Sequence, residues 1–356
     1  MLTTVLLLAC GTPQIGDVEL VDRSSAGLFS GALRSSDGPL GPYVAGATVY
    51  LDVEDGFATQ YDQAGWVLTS PDTDLVTIHN AYTTIEGEDG DSYQRLDAFV
   101  ETKGEGIARL EVLDPRGEVL LTAELDARHP DAFEATARTF EMVDREDLDD
   151  VDAVRQVVVR GEAAFGLRWL GDGEELYGHA SYALTSVDNG TAEQDRSGAF
   201  GDDRDWILVQ PAEAGPMTVT FETDRGLQAG FEVEAVDQVD VVDVDLYSDG
   251  FAEAGEGAEL EVVAVGRTSD GTAVHGIGPS WSWEGEELGH GDIFRYEYAE
   301  DASALLAVRW NDFEREVEVR GIHPEVARSS DIGCSVSGTA GLWLLGLLPL
   351  AVRRRR

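Results

Sequence analysis

Ala108-Arg109-Leu110-Glu111-Val112-Leu113-Asp114-Pro115-Arg116-Gly117-Glu118-Val119-Leu120-Leu121-Thr122-Ala123-Glu124-Leu125 is the stretch that decides the fold. Leu110 and Val112 alternate with Arg109 and Glu111, the period of two that sends one set of side chains to a buried face and the other to water. Asp114-Pro115-Arg116-Gly117 meets the demands of a type I turn: Asp at the first position, Pro with its φ already set at the second, Gly at the fourth. Glu118 to Leu125 returns as the partner strand. The stretch predicts a β-hairpin.

The unit recurs. Met217 to Glu222, the turn Thr223-Asp224-Arg225-Gly226 and Leu227 to Val236 form a second hairpin; Ala304 to Trp310, a turn near Asn311-Asp312 and Glu314 to Ile322 form a third. Each follows an aromatic strand: Trp66 to Ser70, Ser181 to Ser186 and Ser280 to Trp283. Each of these follows a strong strand, at Val49 to Leu51, Phe165 to Trp169 and Leu260 to Val265. Helical periodicity is absent from Ser24 to Glu325. Three divergent repeats of about 90–110 residues match the length of immunoglobulin-like sandwiches. Trp66, Tyr182 and either Trp281 or Trp283 would then plug the cores from a central strand. The Trp66 segment resembles bacterial immunoglobulin-like repeats, in which a Trp and a Ser introduce a loop before a short strand.

The expected fold class is all-β: three tandem immunoglobulin-like β-sandwich domains with a C-terminal transmembrane or sorting helix. The expected order is a signal over 1–10, a linker over 11–24, domains over 25–129, 130–236 and 237–325, a linker over 326–340, and an apolar helix with an arginine cluster over 341–356. A single larger sandwich is the alternative; a propeller would need more repeats.

Charge excludes some functions. The chain carries 69 acidic against 25 basic residues, a net of −44, and Lys103 is its single lysine. Such a surface repels nucleic acid phosphates and anionic lipid. It suits a cation or a cationic partner, or simply a solvated surface in a salty medium.

The two cysteines, Cys10 and Cys334, each sit beside an apolar terminal stretch. Leu7-Leu8-Ala9-Cys10 resembles a bacterial lipobox, which implies lipidation of Cys10; an ordinary secretory signal is the other reading. From Cys334 to Val352 no residue is charged, and Arg353, Arg354, Arg355 and Arg356 follow. An apolar stretch of roughly 20 residues reaches across a bilayer, and a terminal arginine block stays on the cytoplasmic side. This layout resembles the MYXO-CTERM sorting signals of myxobacteria and their relatives. The resemblance implies processing near Cys334, with Trp343 and the arginines in the membrane anchor. A plain membrane anchor predicts the same sidedness, and a disulfide joining the two ends remains a further reading. The body is therefore expected outside the cytoplasm, at the outer membrane or cell surface.

Motifs for chemistry are sparse. Asp245-Leu246-Tyr247-Ser248-Asp249-Gly250 through Glu256 places Asp245, Asp249, Gly250 and Glu256 as a calcium loop would, but Tyr247 stands where a third acid belongs and the flanks read as strands. Strand, turn and strand is the competing reading. The acids from Asp144 to Asp152, and Asp202, Asp203 and Asp205, form clusters suited to a cation or to water-facing loop tips. His79, His129, His179, His275, His290 and His323 fall at no metal-ligand spacing, and no Gly-x-Ser-x-Gly elbow occurs. Trp66, Trp169, Trp206, Trp281, Trp283 and Trp310 either pack cores or build a sugar platform. No cofactor beyond calcium is implied, and no catalytic site is expected. The expected role is structural, adhesive or display, with a surface protein or glycan as partner. Calcium or carbohydrate binding is the alternative, and a hydrolase comes after that.

Overall fold

A computed structural model describes residues 18–22, 34–36, 38–55, 62–86, 92–140, 148–195, 205–248, 258–283, 285–322 and 328–330. The first eight strands are β1 (Val18–Asp22), β2 (Leu40–Val44), β3 (Thr48–Asp55), β4 (Val67–Thr69), β5 (Val76–Glu86), β6 (Ser92–Thr102), β7 (Gly106–Leu113) and β8 (Val119–Arg128). They form two sheets, in the orders β1-β3-β6-β5 and β2-β8-β7-β4. This is the two-sheet arrangement of the immunoglobulin-like sandwich, with the first segment split so that β1 joins one sheet and β2 the other. One core fills the space between them, with Leu20, Leu51, Leu96, Leu110 and Leu125 from facing strands. Burying each such leucine stabilises by roughly 1.5–3 kcal/mol.

The deciding hairpin forms in the expected register, with Leu110 opposite Ala123. Its turn closes by Gly117 N–H donating to the Asp114 carbonyl at 2.9 Å. The Asp114 carboxylate accepts the N–H groups of Arg116 and Glu118, each at 2.8 Å, which is why an acid begins this turn.

The chain continues with β9 (Ala132–Ala137), the single helical turn α1 (Asp149–Asp152), β10 (Gln156–Val158), β11 (Ala163–Gly171), β12 (Glu174–Leu176), β13 (Tyr182–Val187), β14 (Gly190–Asp195), β15 (Asp205–Pro211), β16 (Gly215–Thr223) and β17 (Gln228–Val236). One sheet runs β12-β11-β15-β14 with β9 also on β11, and the other runs β10-β17-β16-β13. Phe165, Trp169, Phe221 and Phe231 pack between them.

The third set is β18 (Val241–Ser248), β19 (Glu259–Thr268), β20 (Ala273–Val274), β21 (Ser280–Trp283), β22 (Glu286–His290), β23 (Ile293–Trp310), β24 (Phe313–Ile322) and β25 (Arg328–Ser330). The long β23 serves both layers. Its first half pairs with β19, its second half with β21 and β24, and the register breaks between Tyr298 and Ser303. Trp281 and Phe294 stack in this core with ring centroids 5.4 Å apart.

Trp66, Tyr182 and Trp281 each enter a different core, and Trp283 is only half-buried. Two details depart from the sequence expectation. Strands β4 and β13 are sheet edges rather than central strands, because no further strand pairs beyond them among the described residues. Residues 18–22, read as linker, form β1 instead: Val18-Glu19-Leu20-Val21-Asp22 pairs with β3 and Leu20 is fully buried. Five residues are too few to show a period. Strand β25 likewise lies within the expected 326–340 linker. The expected C-terminal helix falls outside the described residues, among which no helix is long and apolar enough to cross a membrane.

Candidate functional site: strand-sharing junctions

The most distinctive geometry lies where one pair of sheets meets the next, and it occurs twice. In the first sandwich β2 runs parallel to β8, with Tyr43 opposite Ala127. Its other edge meets the second sandwich, where Val44 N–H donates to the Tyr177 carbonyl at 2.8 Å and Tyr177 N–H donates to the Pro42 carbonyl at 2.9 Å. In the second sandwich β10 runs parallel to β17, with Val157 opposite Ala235. Val158 N–H donates to the His275 carbonyl at 3.0 Å, and His275 N–H donates to the Gln156 carbonyl at 2.9 Å. Both bridges are parallel and use the same two-bond pattern.

Side-chain alternation divides each shared strand between two cores. Tyr43 belongs to the first core and Val44 to the second. Val157 belongs to the second core and Val158 to the third. Successive residues of a strand point to opposite sides, so one strand closes its own sandwich while plugging its neighbour.

A carboxylate fixes the receiving loop in each case. Asp205, the first residue of β15, accepts Ala180 N–H at 2.9 Å and the Trp169 indole N–H at 2.6 Å, and His179 Nδ1 lies 3.2 Å away. Asp292, just before β23, accepts Gly276 N–H at 2.6 Å and Gly278 N–H at 2.7 Å. Ala180 and Gly278 each stand three residues after the bridging residue. Burial pushes the Asp292 carboxyl up to about 7, against the pull of its N–H donors at Gly278, Gly276 and Ile277. Burial holds His275 down at about 4, while its Nε2 meets the Val151 carbonyl at 3.2 Å.

The second junction is the more deeply packed. Phe140, Leu148 and Val151 lie on Val263, Val265, Ala273 and Ile293, which brings the α1 segment against the third sandwich. Gly161 and Gly276 touch so closely that a Cβ on Gly161 would sit 1.9 Å from the Gly276 carbonyl oxygen. At the first junction, Tyr43 Oη donates to the buried Asp22 carboxylate at 2.7 Å, and Arg128 reaches Glu174 at 2.7 Å. Burial, then Asp22, push the Tyr43 hydroxyl far above its usual range.

A second feature lies on the outer face of the β1-β3-β6-β5 sheet. Tyr50, Ala81, Thr83, Asp97 and Phe99 line a shallow cup of about 240 Å³. Phe99 is 45% exposed and leans on Tyr50, centroids 5.1 Å apart. Thr83 Oγ1 donates to Asp97, and Arg95 holds Asp97 at 2.9 Å and Asp52 at 3.4 Å.

The residues singled out in the sequence are placed as follows. Asp245 lies on β18 with its carboxylate 2.7 Å from Arg267 Nε, so a guanidinium already faces it. Asp249 and Glu256 lie outside the described residues, as do Cys10, Cys334, Trp343 and Arg353 to Arg356. Among the described residues no group of three or more His, Cys, Asp or Glu could hold a metal ion. Asp205 is not a water-facing loop tip, because strand β15 and its three partners take it inward. Trp66, Trp169, Trp206, Trp281 and Trp310 are buried and Trp283 is half-buried, so the exposed aromatic rings among the described residues are Phe99 and Tyr82 instead. The sequence named Asp205 only as a cation or loop-tip candidate, and it pointed to neither Asp292 nor the cup. Their only trace was Gly276-Ile277-Gly278, a run whose N–H groups can turn toward one acceptor.

No family model matches the chain, and no curated protein matches it. Among solved structures it is similar to domains 4–9 of the surface layer protein SbsC at 12% identity and TM-score 0.33, over 80% of this chain and 46% of that one. It is also similar to InvD of Yersinia pseudotuberculosis at 11% identity and TM-score 0.24, over 82% of this chain and 84% of that one. The D00-D0 domain of Intimin aligns at 11% identity and TM-score 0.21, over 56% of this chain and 96% of that one. The chain thus spans less than half of the SbsC structure. Similarity at this level does not bear on what the chain does.

Proposed function

We propose that this chain is an exported protein, held at the cell envelope by its ends, whose coupled sandwiches give a stiff support for a structural, adhesive or display role. The observation that carries the reading is the repeated junction. A flexible linker would let neighbouring sandwiches swing. Here a strand is shared by two cores, two backbone hydrogen bonds close each joint, and a carboxylate pins each receiving loop. Such joints transmit orientation from one sandwich to the next. Export is supported by the lipobox-like and MYXO-CTERM-like ends and by the acidic surface.

Lys103 makes the location testable. It is the single lysine and it is exposed, with Nζ 2.8 Å from the Thr73 carbonyl. A membrane-impermeant amine reagent applied to intact cells should modify Lys103, as read by peptide mass spectrometry. Modification only after lysis would overturn the surface location. Stiffness is tested by spin-label distances between the first and third sandwiches of the full chain. A narrow distribution is expected, and a broad one would refute it.

A second reading concerns the cup. An exposed ring beside a fixed carboxylate and guanidinium is a surface on which the apolar face of a saccharide can stack while its hydroxyls bond. Glycan-array binding that disappears in Phe99→Ala, with the fold intact, would support it; an array without signal would remove it.

A further inference from the structure

We infer that β5 is a self-recognition edge, on which a second copy of this chain adds its own β5 antiparallel to the first. Strand β5 ends the β1-β3-β6-β5 sheet and pairs with β6 along all eleven of its residues, from Val76 to Glu86. Beyond the ladder, the one backbone hydrogen bond its main chain makes among the described residues is at its first residue, where Val76 N–H donates to the Asp72 carbonyl at 3.1 Å. From His79 onward most of it is exposed. An edge of about 36 Å, at roughly 3.3 Å per residue, is therefore left with unpaired donors and acceptors.

Other edges carry the features that block such pairing: brevity, charge, proline, a bulge or a cover. The free sides of β2 and β10 are occupied by the junction bridges. Strand β4 has three residues and β22 has five, two of them Glu. The registers of β13 and β18 shift within the strand, and β18 carries Asp243 and Asp245. Strand β24 is nearly as long as β5 but bears Glu314, Arg315, Glu316 and Glu318. Strand β5 has no proline and no register shift, and its one charged residue is Glu86 at the end.

Charge selects the occupant. Two copies of net −44 repel wherever their surfaces meet, so contact is cheapest along a neutral strip. A two-fold pairing centred on Ala81 sets Glu86 opposite Val76, Ile85 opposite Thr77, Thr84 opposite Ile78 and Thr83 opposite His79. No like charges face one another, and apart from Val76 the β-branched residues oppose uncharged partners. This inference goes beyond the proposed function and does not depend on where the chain is located.

The test is sedimentation of the full chain in mild detergent across the micromolar range and across salt. A monomer–dimer equilibrium that tightens as salt rises is expected, because salt screens the repulsion and there are no ion pairs to lose. Thr77→Lys with Ile85→Lys places lysine opposite lysine twice and leaves the cup untouched; it should return the chain to monomer with an unchanged circular dichroism spectrum. In a Cys10→Ser and Cys334→Ser background, Ala81→Cys should join two copies through a short bismaleimide, and Glu316→Cys on β24 should not. A monomeric wild-type chain, a lysine variant that still dimerises, or equal cross-linking from the two edges would each overturn the inference.

Discussion

Gly161→Ala should uncouple the second and third sandwiches. The glycine has no left-handed φ, so alanine fits its backbone, and the effect comes from contact alone. The new Cβ would lie 1.9 Å from the Gly276 oxygen, 2.4 Å from Val158 Cγ1 and 2.8 Å from the Gly276 carbonyl carbon. Ordinary contact needs about 3.5 Å between such atoms, so the Gly276 loop must retreat by roughly 1.5 Å. The bridge bonds at 3.0 Å and 2.9 Å then pass the limit of a hydrogen bond. Two such bonds contribute about 1 kcal/mol each, and loosening the N–H donors around buried Asp292 adds a similar amount. The joint should lose about 3 kcal/mol of coupling. In scanning calorimetry the third sandwich should melt as a separate, earlier transition. Gly104→Ala, where a Cβ meets nothing within 4 Å, is the control and should leave the profile unchanged. If Gly161→Ala melts as the control does, the junction does not couple the sandwiches and the reasoning fails.

The same junction sets a pH dependence. His275, depressed to about 4 by burial, contributes stability that is complete above its unfolded value of 6.5 and is lost as pH falls through 4. Asp292, raised to about 7, acts oppositely: its contribution is complete below 3.8 and is lost as pH rises through 7. The two nearly cancel between pH 4 and 6.5, so Asp292→Asn should unmask the histidine and gain about 3 kcal/mol over that window relative to wild type; parallel urea midpoints would refute this. Tyr43→Phe removes a 2.7 Å donor from the buried Asp22 carboxylate and should cost about 2 kcal/mol by urea unfolding. Because acids outnumber bases 69 to 25, sodium chloride should raise the melting temperature steadily; a fall would mean that surface ion pairs outweigh repulsion.

The sequence alone determined the β class and the three hairpins, because alternation of period two and turn chemistry at Asp114 to Gly117 and Thr223 to Gly226 are local properties of the chain. It also placed Trp66 and Tyr182 in cores and left the third core to Trp281 or Trp283; the structure puts Trp281 there. Only the tertiary structure decided the role of Gln156-Val157-Val158, whose three residues are too short to show a period and draw their partners from a distant β17 and from His275. The same is true of Asp205 and Asp292: in a chain with 69 acids, nothing local separates a carboxylate that pins a loop from one that faces water. The difference is the set of N–H groups aimed at it, and those arrive only when strands far apart in sequence are brought side by side.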